Sequence, residues 1–268
     1  MKLKIFKALW GMERLPLEQQ FKQISEAGYA GIESPMPEPA NETLFRNLLA
    51  QYGLEYSAMV FTGGDHKQSF KEQVERAATF SAVMINAHSS KDDAPYEQQL
   101  DFYRHAVNVE REAGIPIAHE THRGRAMFTP WVTEQLLKDV PELSICADFS
   151  HWCCVCESLL EDQGPRMQIA SKRAIHVHSR VGYQEGPQVN HPAAPEHAAA
   201  LAAHSAWWRD IARSRRDQGA ESLIIVPEFG PPGYLQTLPF TNVPVSDLWE
   251  VCLWMKGYLE RHWDEWLA

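Results

Sequence analysis

Four segments of the chain put an acid or an imidazole directly behind an apolar run. IAHETH carries Glu120, ICADFSHW carries Asp148 and His151, IHVHSR carries His178, and IIVPEFG carries Glu228. If each run is a strand, alternation with a period of two puts Ala118, Glu120 and His122 on one face. It does the same for His176, His178 and Arg180, and for Val226 and Glu228. Three carboxylates that converge in a semi-enclosed space repel one another unless they are protonated or neutralised, and a divalent cation neutralises them with a single group. Glu120, Asp148, His178 and Glu228 would offer it three oxygen donors and one imidazole, with no thiolate. That donor set suits Mn²⁺ or Mg²⁺ first, then Co²⁺, and Zn²⁺ less well, and it leaves positions open for the oxygens of a substrate.

Such residues meet only if the elements beneath them bring the strand ends together. Apolar, β-branched runs begin near Leu3, Gly31, Tyr56, Ala82, Pro116, Leu143, Ala174 and Ser222. Between them lie segments with helical spacing, such as Leu17, Phe21, Ile24 and Gly28, or Leu248, Cys252, Met255 and Leu259. The first seven starts lie about 25 to 35 residues apart, the length of one βα unit with its loops, and right-handed crossovers make the sheet parallel. Eight such units predict an α/β fold, a (β/α)8 TIM barrel formed by residues 1–268 as a single domain. An open doubly wound sheet is the alternative, but no Gly-x-Gly-x-x-Gly follows the first run. In a barrel the C-terminal strand ends line one mouth, where substrates bind.

Composition narrows the partners. With 25 basic and 35 acidic residues the formal charge is −10, which repels a phosphate backbone and an anionic membrane surface alike. The N-terminus lacks the apolar core and cleavage site of a signal peptide, and no run approaches a membrane span of roughly 20 residues. Five cysteines, with Cys153, Cys154 and Cys156 crowded together, fit reduced thiols better than a disulfide framework. The expectation is a soluble, cytoplasmic protein with a small-molecule partner, no nucleic acid and no membrane, and with a homo-oligomer left open.

These strand-end residues resemble the xylose isomerase-like TIM barrels, a family of sugar and sugar-phosphate isomerases and epimerases with endonuclease IV-type enzymes as distant relatives. The resemblance spans nearly the whole chain. It implies that Glu120, Asp148, His178 and Glu228, from strands five to eight, hold a divalent metal and that the substrate is a carbohydrate. Asp148-Phe-Ser-His151 matches the family's Asp-x-x-His, whose histidine contacts substrate hydroxyls or a further metal. Arg180, two residues after the ligand histidine, resembles the substrate-binding arginine of the ketose 3-epimerases.

The expected chemistry follows from those groups. A metal bound to a carbonyl oxygen and the neighbouring hydroxyl acidifies the intervening C–H and stabilises an enediolate. Glu120 and Glu228 could flank the reactive carbon, one removing the proton and the other returning it to the opposite face, which is epimerisation. Return at the neighbouring carbon, or a hydride shift, interconverts aldose and ketose. The alternative within enzymes is a metal-dependent lyase or dehydratase on a keto-sugar or inositol ketone. A noncatalytic sugar-binding barrel and an endonuclease IV-like phosphodiesterase rank below these, the latter because the acidic chain has no basic DNA-binding run.

Other residues carry weaker signals. His122 and Arg123 could hold a hydroxyl, carboxylate or phosphate, whereas Arg123 and Arg125 read equally well as solvated loop charges. His88, in INAHSS, could touch substrate or orient a metal ligand. His119 should face the surrounding helices, and His176 lies one inward step below His178. Trp10, Phe61 and Trp152 are candidates for an apolar wall against the C–H face of a sugar. The three clustered cysteines read as buried small residues at the start of the sixth helix, and Trp207-Trp208 with the C-terminal HWDEW as helix packing or an oligomer contact. Long loops at 182–196 and 229–245 suit a lid, in which Gln184, Gln188, Asn190 and Tyr234 could read hydroxyls.

Overall fold

The computed structural model describes residues 1–268. Eight parallel strands close in sequential order into a barrel. They are β1 (Lys2–Ala8), β2 (Gly31–Pro35), β3 (Glu55–Phe61), β4 (Met84–His88), β5 (Ile117–Glu120), β6 (Ile145–Ala147), β7 (Ala174–His178) and β8 (Ser222–Val226). Closure comes from β1 pairing with β8, Lys2 opposite Ser222 through Ile5 opposite Ile225. All eight starts lie within two residues of those read from the apolar runs.

The helices are α1 (Leu17–Glu26), α2 (Glu42–Tyr52), α3 (His66–Ala78), α4 (Tyr96–Ala113), α5 (Pro130–Asp139), α6 (Ser150–Val155), α7 (Gly164–Arg173), α8 (Ala198–Asp217) and α9 (Leu248–Leu267). Both helical spacings read from the sequence are realised: α1 buries Phe21 and Ile24, and α9 buries Cys252, Met255 and Leu259. Gly28 falls beyond α1, where the chain turns at φ +72°. The sixth crossover is split into a short α6 and a longer α7. Cys153 is buried as expected, but Cys154 and Cys156 are half-exposed.

The alternation along β8 shows how the barrel separates two cores. Leu223 and Ile225 point outward into the main apolar layer beneath the helices, whereas Ile224 and Val226 join Phe6, Ala8, Met84, Ala118 and Cys146 inside the barrel. Trp208, Trp263 and Trp266 are buried in the helix layer, so those tryptophans serve packing rather than an oligomer contact. Trp152 is also fully buried, stacked on Phe149 with its indole N–H donating to the Met127 carbonyl. It therefore forms no part of a substrate wall. No helix is long and apolar enough to cross a membrane.

Candidate metal centre and substrate cavity

The strand ends bring Glu120, Asp148, His178 and Glu228 together, with one ligand atom from each lying within 4.8 Å of all the others. All four are buried. Asp148 is held by the chain around it: its amide donates to Thr121 Oγ1 at 2.9 Å, and its Oδ1 accepts the Ser150 amide at 3.2 Å where α6 begins. Glu120 Oε2 accepts from Asn86 Nδ2 at 2.6 Å and lies 2.8 Å from His88 Nε2. Burial works to raise the Glu120 carboxyl, but the imidazoles of His88 and His178 override it and hold the group well below the usual carboxylate range. For Asp148 burial is overridden by Arg180 and then His151, again leaving the carboxyl low.

His178 decides what the cluster can hold. Its Nε2 lies 2.7 Å from Glu33 Oε1, and His176 Nε2 lies 2.7 Å from Glu33 Oε2. Ser57 Oγ donates to the same carboxylate at 2.6 Å. Burial is again outweighed by the two histidines, so Glu33 stays ionised, and an ionised carboxylate only accepts. Both imidazoles must therefore donate from Nε2. That leaves Nδ1 as the ring atom turned to the cluster, facing Glu228 Oε2 at 3.0 Å, Glu120 Oε2 at 3.6 Å and Asp148 Oδ2 at 3.7 Å. Burial works to lower the imidazole's pKa, but Cys146, Glu228, Glu120 and Glu33 outweigh it and raise it well above its ordinary value, so that without a cation Nδ1 holds a proton among these oxygens, the place a metal ion would take. The buried His178 Nδ1 and Glu120 Oε1 have no hydrogen-bond partner. Three hard carboxylates and one imidazole fit a divalent cation.

Glu33 was not anticipated from the sequence. Its signal was an acid at an inward position of the otherwise uncharged strand GIESP, which a buried charge would not occupy without a partner. Asn86, between Glu120 and His178, gave no comparable sign.

The cluster lies at one side of a cavity of about 620 Å³, lined among others by Trp10, Met59, Phe61, His88, Glu120, His122, Arg125, Arg180, Glu228 and Tyr234. Leu9, Trp10, Pro35, Met59 and Phe61 make it apolar on the side of β1–β3. Tyr234 meets Trp10 edge to face at 5.0 Å. The Tyr234 ring also lies about 5 Å from the guanidinium groups of both Arg123 and Arg180. Arg180 is almost fully buried, ion-paired through Nη2 to Asp148 and 3.3 Å from Glu228 Oε2 through Nη1. His122 lies between His88 and His151, with ring centroids at 4.8 and 3.9 Å and the rings tilted to one another. Burial outweighs nearby Glu120 and pushes its pKa down to about 4, so it is neutral near pH 7.

Not every candidate reaches the cavity. His151 is fully buried, with Nε2 2.7 Å from Arg180 Nη2, and does not line the cavity. His119 packs outward among Phe70, Phe102 and Tyr103, with Nδ1 2.6 Å from Ser89 Oγ. Of the loop residues, only Tyr234 lines the cavity. Gln188 is buried and exchanges two hydrogen bonds with the Gly230 backbone, at 2.7 and 3.0 Å, which latches the two long loops together. Asn190 accepts the His191 amide through its side chain.

The family model for xylose isomerase-like TIM barrels matches residues 21–210. The chain belongs to that family. Among curated proteins none matches in sequence. Several solved structures share the fold over nearly their whole length. One, a xylose isomerase-like TIM barrel protein from Mycobacterium smegmatis in complex with magnesium, is 15% identical; 99% of this chain and 98% of that one are covered, with a TM-score of 0.66. The 3-keto-D-glucoside 4-epimerase YcjR from E. coli, in its apo form, is 14% identical over 97% and 100%, with a TM-score of 0.63. The probable 3-DHS dehydratase AsbF of petrobactin synthesis in Bacillus anthracis is 15% identical over 97% and 99%, also at 0.63. At these identities the likeness is one of fold.

Proposed function

We propose that this chain is a divalent-metal-dependent isomerase or epimerase of a sugar or sugar derivative, with Mg²⁺ or Mn²⁺ held by Glu120, Asp148, His178 and Glu228. The observation that carries the reading is the Nδ1 of His178, turned by Glu33 towards oxygens of three buried carboxylates. The bound cation would supply Lewis-acid stabilisation of the negative charge that develops on the substrate's oxygens. The chain's own residues do the rest. Glu120 and Glu228 both line the cavity, and with a substrate between them one takes the proton from the carbon beside the carbonyl while the other returns it. Trp10, Phe61 and Met59 cover the C–H face and keep water from it, and His88 and His122 offer polar contacts to hydroxyls. Arg180 holds Asp148 and Glu228 in place from behind.

The test is incubation of the Mg²⁺- or Mn²⁺-loaded protein with ketoses and aldoses in deuterated water, followed by NMR. Deuterium entering beside the carbonyl together with an epimer or isomer supports the proposal. Isomerisation without label assigns a hydride shift instead, and a product lacking its β-hydroxyl assigns a lyase. Glu228→Gln should abolish exchange and weaken metal binding; full exchange in that variant would remove Glu228 from the chemistry.

A further inference from the structure

The cavity contains two guanidinium groups in opposite electrostatic circumstances. Arg180 is compensated by Asp148 and Glu228. Arg125 is half-buried in the same cavity wall, and its partners are backbone carbonyls alone: Nη1 donates to Thr62 O at 3.0 Å, just beyond β3, and to Ser90 O at 3.3 Å, two residues beyond β4. No carboxylate lies within ion-pair distance of it.

The local chain explains this placement. The Arg125 amide donates to His122 O at 3.1 Å, closing a tight turn in which Gly124 takes φ +75°, a conformation costly for a residue with a Cβ. The turn sends Arg125 back across the ends of β4 and β3. Anchoring through Nη1 leaves the edge formed by Nε and Nη2 without a protein acceptor. That edge is the fork that pairs side by side with two oxygens of a carboxylate or phosphate. Burial lowers the guanidinium's pKa more than Glu120, Tyr103 and Asp92 raise it, as expected for a cation still lacking its counter-ion.

We infer that the substrate carries an anionic oxygen group, a carboxylate or a phosphate, on the β3–β4 side of the cavity, and that Arg125 seats it. This rests on the reading of the cavity as the substrate site of a metal-dependent isomerase or epimerase. A neutral sugar leaves a half-buried cation unpaired, whereas an anionic one completes it.

Calorimetric binding to the Mg²⁺-loaded protein tests the seat with two pairs of probes: D-fructose against D-fructose 6-phosphate, and D-glucose against D-glucuronate. The expected result is that one charged probe binds at least about tenfold more tightly than its neutral partner, as a charge-assisted bidentate contact should. Preference within the first pair names phosphate, and within the second, carboxylate. Arg125→Gln should bring the ratio of charged to neutral affinity to about one, whatever the absolute affinities, and Arg125→Lys, which keeps charge but not the fork, should retain part of the preference. The seat is overturned if the wild type binds charged and neutral probes equally, if the preference survives Arg125→Gln, or if none of the four binds. Deuterium exchange separates this from the proposed function. An Arg125-dependent preference without exchange keeps the seat and removes the isomerase reading, and exchange on neutral sugars without preference does the reverse.

Discussion

Glu33 on β2 and His178 on β7 lie 145 residues apart and meet at 2.7 Å inside the barrel. The carboxylate accepts a hydrogen bond from Nε2–H, so the opposite ring nitrogen is the one turned to the four-donor cluster. It orients His178 without joining the four-donor cluster.

Replacing Glu33 by Gln tests that relationship. Gln offers one acceptor and one donor where His176 and His178 both donate, so one imidazole must change tautomer, and a protonated His178 Nδ1 no longer binds metal. Mn²⁺ affinity measured by calorimetry should fall about 10- to 100-fold with the circular-dichroism spectrum retained. Undiminished affinity would show that the pair does not set the tautomer.

Arg180 is the cluster's built-in counter-ion. Arg180→Gln leaves Asp148 and Glu228 uncompensated in the interior, and removing one partner of a buried ion pair costs about 3–5 kcal/mol. The metal-free variant should melt well below the wild type, and added Mg²⁺ should raise its Tm by more than it raises that of the wild type. Equal Mg²⁺-induced shifts would argue that Arg180 and the cation do not share the same carboxylates.

His204 predicts an acid limit to stability. On α8 its Nδ1 donates to Ala200 O at 2.9 Å and its Nε2 accepts the Gly182 amide at 3.3 Å. Only the neutral ring can do both, and burial pushes its pKa down to about 4. The unfolded chain binds this proton near pH 6.5 and the folded chain only near 4, so the contribution is complete above about 6.5 and is lost as pH falls towards 4. In urea denaturation between those values, His204→Gln should show a shallower pH slope by ~1.4 kcal/mol per pH unit. An unchanged slope would mean that His204 already carries its proton in the fold.

Gly230 sets the position of the cavity wall. A Cβ there would fall 2.2 Å from Trp10 Cη2, so Gly230→Ala must displace the indole. Overpacking of this kind costs about 1–3 kcal/mol. KM for a turned-over sugar should rise while the calorimetric Mg²⁺ affinity stays the same, since Trp10 lines the apolar side of the cavity and is not one of the four candidate ligands. A parallel loss of metal binding would show that the wall and the cluster are coupled.

Much of the fold and part of the site were legible in local pattern. Period-two alternation separated Glu120 and His178 from outward-facing His119, and apolar runs located all eight strands. The pattern failed where a residue's role depends on what covers it. Trp152 reads as a wall residue because it follows a strand end, but Phe149 and Met127 enclose it. Gln188 reads as plain loop polarity or as a hydroxyl ligand, but the Gly230 backbone takes both ends of its amide. Arg125 reads as a solvated loop charge until the Gly124 turn is seen to fold it across β3 and β4.

By itself, the sequence determined the eight βα units and which donors stand at strand ends facing inward, because backbone periodicity is a property of neighbouring residues. Only the tertiary structure decided that Glu33 reaches His178, that Arg180 neutralises Asp148 and Glu228, and that Arg125 keeps a free edge. Those facts depend on barrel closure and on the register between strands distant in the chain, and so on distances that no local repeat encodes.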